Sequence, residues 1–190
     1  MKRIFILLMP LTMLAMILGM TGAVDGADYV GVKKCKMCHI KQFKSWEKTS
    51  MATSFENLKA GMKADAKKKA GLDPDKDYTT DANCLGCHTT GYGKPGGFTS
   101  IEATPKLINV QCESCHGPGG DFRKVMKDKK FKLADVVAAG LILPNEKVNN
   151  CMECHGSDSP FNETVDAKYK FDIKERLKKT HEHYPLKYEH

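Results

Sequence analysis

Hydrophobic residues are concentrated at the start of this chain of 190 residues. An uncharged apolar run extends from Ile4 to Met20, after Lys2 and Arg3 and before the small residues 21–23. This order is typical of a secretory signal peptide cleaved near residue 23. We therefore expect residues 1–23 to be a signal and residues 24–190 to form one domain in the periplasm or another extracytoplasmic compartment. If the run were not cleaved, it would instead anchor the chain in a membrane.

The rest of the chain shows helical periodicity and hardly any strand alternation. Apolar residues recur every three to five positions from Ile40 to Leu58, which predicts a helix face with Met51 near its middle. Further helices are predicted at 63–70, 131–139 and 171–184. Glycine and proline within 91–97 predict an irregular loop. We expect a mainly α-helical fold with long irregular loops and little or no β-structure.

All eight cysteines lie in four copies of one pentapeptide, Cys-x-x-Cys-His. The copies are Cys35, Cys38 and His39; Cys84, Cys87 and His88; Cys112, Cys115 and His116; and Cys151, Cys154 and His155. In this motif the two thiols bond to a c-type haem, and the histidine becomes the proximal ligand of its iron. The pattern therefore predicts four covalently attached haems.

Zinc is the main alternative, because two Cys-x-x-Cys pairs can form one closed tetrahedral site. A histidine follows all four pairs, although the chain has only seven histidines. Neither zinc nor a disulfide framework explains that regularity, so the sequence favours haem.

Composition indicates that the haems contribute to the core. Hydrophobic residues are 41% of the whole chain, signal included, so the mature chain has fewer apolar side chains to bury. The porphyrins would supply part of that surface, and folding should depend on them.

The formal net charge is +7, and lysines cluster at 67–69 and 127–132. These clusters are either solvated helix faces or docking surfaces for an acidic redox partner. Nothing in the sequence indicates nucleic-acid binding.

Three histidines remain to complete the coordination of four irons. They are His181, His183 and His190. Ile173, Leu177 and His181 share one face of the predicted C-terminal helix, whereas His183 points away, so His181 is the best candidate ligand. At least one iron must take a methionine, a residue of another chain, or no protein ligand.

The chain resembles the tetrahaem cytochrome c-554 family of ammonia oxidisers and their relatives. The resemblance is carried by residues 33–35, 72–78, 84–93, 112–119, 165–169 and 181–184. It implies a mainly helical fold in which four haems lie in close pairs and form one continuous electron path.

The resemblance also implies sixth ligands. It assigns His181 to the first haem, and it aligns two other distal histidines of the family with Met51 and Met126. Those methionines would face the third and fourth haems, and methionine raises the reduction potential relative to histidine. If either does not bind, its iron would be five-coordinate or would take His183 or His190.

The resemblance leaves the second haem, held by His88, without a sixth protein ligand. A small gas such as nitric oxide or carbon monoxide could bind at an open iron there. The family segment above this haem resembles residues 159–161, which otherwise read as an ordinary turn.

Three functions are compatible with these features. The first is an exported carrier that relays single electrons between redox partner proteins, whose identity the sequence does not give. The second is reduction of nitric oxide or a related nitrogen oxide at an open haem, so whether the chain is also an enzyme stays undecided. The third is a subunit of a polymer or respiratory complex, with a ligand supplied by another chain. Membrane attachment is expected only if the signal is retained.

Overall fold

The computed structural model describes residues 27–148, 150–156 and 158–183. The predicted signal and His190 lie outside these ranges. No helix in the described ranges is long and apolar enough to cross a membrane.

The described chain is mainly helical, as predicted. Its α-helices are α1 (Val32–Lys36), α2 (Ile40–Trp46), α3 (Ala64–Lys69), α4 (Ala82–His88), α5 (Cys112–His116), α6 (Gly119–Val125), α7 (Leu133–Ala138), α8 (Met152–His155) and α9 (Ile173–Leu177). Short 3-10 helices cover Ser50–Leu58, Pro105–Leu107 and Ala167–Tyr169. Within the described part of the chain, the only β-structure is an isolated antiparallel bridge between Thr89 and Ile108.

One predicted helix is wrong as a continuous element. Helix α2 ends at Trp46, and the Thr49 hydroxyl donates to the Trp46 carbonyl oxygen at 2.7 Å. A threonine that bonds the preceding turn in this way competes with helix continuation. The chain resumes as a 3-10 helix that is itself interrupted at Thr53, so Met51 does not lie on one continuous apolar stripe.

The predicted C-terminal helix is also shorter than expected. Helix α9 ends at Leu177, where the Thr180 hydroxyl donates to the carbonyl oxygen at 3.0 Å. His181 is therefore not on a helix face, and the prediction that His183 lies on the opposite side of that helix is wrong. The predicted helices at 63–70 and 131–139 are confirmed as α3 and α7.

The buried apolar core is small. One cluster packs the 3-10 helix at 50–58 against helix α4; its buried members are Tyr29, Phe55, Leu58, Tyr78, Leu85, Phe98 and Leu107. Several large apolar side chains in or next to the first and fourth motifs are exposed: Met37, Ile40 and Met152. A porphyrin attached at either of these motifs would have apolar surface available to cover.

A buried carboxylate joins the start of the described chain to the third motif. Glu113 is 2% exposed and accepts hydrogen bonds from the backbone N–H groups of Val30, Gly31 and Gly119, at 2.9, 2.7 and 2.6 Å. The adjacent Gln111 accepts from the Val32 N–H at 2.6 Å. The two side chains hold the segment that leads into α1 against α5.

Candidate haem sites

Each Cys-x-x-Cys-His motif forms about one helical turn. The backbone N–H of His39 donates to the Cys35 carbonyl at 3.0 Å, and that of His155 donates to the Cys151 carbonyl at 2.9 Å. Residues three and four positions apart lie on the same side of a helix. The turn therefore presents two thiols and one imidazole on one side, which is the donor set that a covalent haem requires.

Two of the motif histidines are oriented by backbone carbonyl groups. The Nδ1 atom of His88 lies 2.6 Å from the Ser54 carbonyl oxygen, and Nδ1 of His116 lies 3.0 Å from that of Ile142. Such a bond fixes the ring and leaves Nε2 available for a metal. Sequence reasoning missed Ser54 and Ile142 because a backbone acceptor has no residue-type signature.

Burial favours the neutral form of all four motif imidazoles. It lowers the pKa of His39, His88, His116 and His155 below the ordinary histidine value. The bonds of His88 and His116 to carbonyl groups oppose that effect but do not reverse it. A neutral imidazole is the form that binds iron, so the local environment suits the predicted role.

The fourth motif histidine has a different environment. His155 is the most exposed of the four, and its ring stacks on Phe171 with centroids 4.4 Å apart and planes 11° apart. Phe171 was not identified from the sequence, where it was only the first residue of a predicted helix. The stack fixes the orientation of the imidazole where no carbonyl bond is described.

The motifs approach one another in pairs. The Cys35 and Cys112 thiols are close enough to shift each other's pKa, upward for Cys35 and downward for Cys112, which places the first motif beside the third. The Cys87 and Cys154 thiols are close in the same way for the second and fourth motifs: their interaction lowers the pKa of Cys87 to about 7 and raises that of Cys154. Helix α1 contacts α5, and α4 contacts α8.

The two pairs are joined through the third and fourth motifs. The side-chain amide of Asn150 donates to the Ser114 carbonyl oxygen at 3.3 Å. Burial raises the pKa of Cys115. The nearby Cys151 thiol contributes to this rise, which reaches about 11. In space, the motifs therefore follow the order first, third, fourth, second.

The two spare histidines that the structure describes lie at the first pair. The His181 ring is 6.2 Å from that of His116, centroid to centroid, and 4.7 Å from that of His183. The His181 charge also contributes, after burial, to the lowered pKa of His39. The backbone N–H of Glu182 donates to the Ser45 hydroxyl at 2.8 Å, which holds this segment beside α2.

The two candidate methionines are half-buried. Met51 is the second residue of the 3-10 helix at 50–58, and its carbonyl oxygen accepts from the Val110 N–H at 3.3 Å, just before the third motif. Met126 caps the C-terminal end of α6. For the described residues, no contact is seen between either sulfur atom and a motif histidine. Both ligand assignments stay predictions.

Residues 159–161 form a turn in which the Phe161 N–H donates to the Ser159 hydroxyl at 3.2 Å. The Phe161 ring makes an edge contact with that of Tyr169 at 5.6 Å. A role of this turn above the second haem stays a prediction.

Four one-turn Cys-x-x-Cys-His motifs, brought together within a small helical fold, define a multihaem c-type cytochrome. A sequence model of the family described as "Cytochrome c554 and c-prime" matches residues 34–117. Cytochrome c-554 of Nitrosomonas europaea is 42% identical over 184 residues, which cover 84% of this chain and 77% of the relative. The solved structure of its reduced state matches with a TM-score of 0.77 and 40% identity, over 86% of this chain and 89% of that one.

The chain belongs to the cytochrome c-554 family. It binds four covalent c-type haems and is an electron carrier, as the motifs and the resemblance predicted. The haem assignment replaces the zinc and disulfide alternatives.

Proposed function

We propose that this cytochrome relays single electrons between two redox partner proteins outside the cytoplasm, through haems in the order first, third, fourth, second. The observation that carries the proposal is the contact of Cys35 with Cys112 and of Cys87 with Cys154. Thioether bonds at these positions would hold the two haems of each pair close together. The Asn150 to Ser114 contact supports transfer between the pairs.

The haems supply an Fe(III)/Fe(II) couple, and the protein sets the spacing and environment of each. The chain's own contribution is to fix the imidazoles through Ser54, Ile142 and Phe171. The charged N-terminal residues followed by an apolar run support export.

The relay predicts that electrons redistribute within one molecule. When the reduced cytochrome is mixed with less than one equivalent of a one-electron oxidant, the four haems should equilibrate at a rate independent of protein concentration. Stopped-flow absorbance at several protein concentrations measures this rate. A rate proportional to protein concentration would show exchange between molecules and would contradict the proposed path.

We further propose His181 as a sixth ligand within the first pair. The resemblance assigns it to the first haem, and its position beside His39 and His116 supports ligation there. Metal bonds to imidazole nitrogen are about 2 Å long, so two imidazoles that share one iron have ring centroids roughly 6 Å apart. The His181 and His116 ring centroids are 6.2 Å apart, so His181 could also bind the iron of the third haem.

A second candidate function is reduction of nitric oxide, or a related nitrogen oxide, at the haem held by His88. It is favoured by the position of His181 and His183, which both lie at the first pair and therefore do not serve this iron. An iron without a sixth protein ligand would bind a diatomic gas.

Carbon monoxide tests this candidate directly. We expect it to change the visible absorption of one ferrous haem in four, because only one iron would have an open position. Titration of the fully reduced protein under carbon monoxide measures the stoichiometry. If the spectrum of the reduced protein does not change, there is no open haem and this candidate fails.

A further inference from the structure

A buried lysine lies beside the second motif. Lys67, in helix α3, is only 4% exposed, although the sequence placed it in a lysine cluster that was either solvated or available for docking. The following residues, Lys68 and Lys69, are exposed. The cluster is therefore not one continuous surface, and Lys67 needs a separate explanation.

The groups that contact the Lys67 ammonium carry no charge. Its ammonium group donates to the Lys59 carbonyl oxygen at 2.7 Å and lies 5.1 Å from the centroid of the Tyr78 ring. It forms no ion pair with the carboxylates of the described chain. Lysine is almost never fully buried unless it is paired, because removing a charge from water is costly. The exposed carboxylate of Asp77 is close enough for the Lys67 charge to contribute to its lowered pKa, after the larger effect of its hydrogen bonds with Thr79, but the two groups form no ion pair.

Packing connects this charge to the second haem site. Tyr78 belongs to the same buried cluster as Leu85, which lies between the two cysteines of the motif. The carbonyl oxygen that orients His88 belongs to Ser54, in the 3-10 helix that also contributes Phe55 and Leu58 to that cluster. Lys67 and His88 therefore lie against the same small core.

The same cluster reaches one of the cysteines that hold this haem. Cys84 is partly buried and packs against the cluster that contains Tyr78 and Leu85. Asp81, three residues before Cys84, is paired with Lys76 at 2.9 Å.

We propose that the buried ammonium group of Lys67 raises the reduction potential of the haem attached at Cys84 and Cys87. Reduction from Fe(III) to Fe(II) removes one positive charge from the haem, so a fixed cation nearby disfavours the ferric state. Net charge and burial are known means by which a protein adjusts a haem potential. The proposal concerns the environment of this haem and does not rest on its sixth ligand or on the order of electron transfer.

Charge-removing substitutions test the proposal in the holoprotein. Lys67→Gln keeps a hydrogen-bond donor for the Lys59 carbonyl, and Lys67→Leu fills the space if the amide is not accommodated. For one of the four haems, we expect either variant to raise the Fe(III)/Fe(II) ratio at fixed potential by about tenfold, as a Coulomb interaction in a partly buried environment implies. Tenfold corresponds to a midpoint about 59 mV lower for a one-electron couple. Spectroelectrochemical titration resolves the four steps.

Two controls separate charge from structure. Lys67→Arg keeps the charge and should leave all four midpoints close to their original values. Lys68→Gln removes an exposed charge from the next position of the same helix and should also leave them nearly unchanged. The proposal is overturned if Lys67→Arg shifts a midpoint as much as Lys67→Gln does, or if Lys67→Gln shifts none more than Lys68→Gln does. Haem content of four per chain, measured for each variant, confirms that the comparison is between assembled proteins.

Discussion

Replacing Glu113 with alanine is expected to destabilise the folded cytochrome by about 4 kcal/mol, since leaving a buried donor without its acceptor costs about 1–3 kcal/mol. The substitution would leave three backbone N–H groups, those of Val30, Gly31 and Gly119, without a hydrogen-bond acceptor. It would also release the segment before α1 from the third motif. Denaturant unfolding of the holoprotein, followed by circular dichroism, measures the loss.

A matched pair of variants tests this explanation. Glu113→Gln keeps one acceptor oxygen and should lose less stability than Glu113→Ala. Glu153→Ala, which alters an exposed glutamate inside the fourth motif, should have an effect near zero. Equal losses for Glu113→Ala and Glu153→Ala would mean that the three hydrogen bonds do not stabilise the fold.

Replacing Met51 or Met126 with leucine is expected to abolish the signal of one methionine-ligated haem in each case. Leucine preserves the approximate volume but has no sulfur to bind iron. Near-infrared magnetic circular dichroism separates haems with histidine and methionine ligands from haems with two histidines. We also expect a large fall in the potential of the affected haem if a histidine takes the vacant position.

Met152 provides the control for both substitutions. It is 57% exposed and lies inside the fourth motif, so Met152→Leu should leave the near-infrared spectrum unchanged. If the unsubstituted protein shows only bis-histidine and high-spin signals, both methionine assignments are wrong.

The parts of the site that could be predicted from sequence are those that covalent chemistry dictates. Two thiols and an imidazole must face one porphyrin, and a helical turn with three- and four-residue spacing achieves this. That requirement identified all eight cysteines and the four motif histidines without reference to tertiary structure. The helices α3 and α7 were also predictable, because Gly71 and Gly140 mark their ends in the sequence.

Periodicity failed where a single side chain ended a helix. Thr49 and Thr180 each donate to a carbonyl oxygen three residues earlier, and both predicted helices stop near that point. Apolar spacing does not register such a competition. His181 is one case: it was predicted to lie on a helix face, but α9 ends before it. The residue nevertheless lies beside the first pair of motifs.

Tertiary contacts account for the remaining differences. Lys67 appeared to be one of three equivalent lysines, and only the packing of Tyr78 shows that it is buried. Glu113 read as a variable position of the haem motif, whereas the structure gives it three backbone partners. Neither environment has a local signature in the chain.

The pairing of the motifs is interleaved along the chain. The first motif pairs with the third, and the second pairs with the fourth. A break anywhere between the first and last motifs therefore separates the members of at least one pair, and a break in the middle separates both. The cytochrome cannot be divided into two self-sufficient dihaem halves. During synthesis, neither pair can close until the third motif has emerged, so the first two haems must await partners from the second half of the chain.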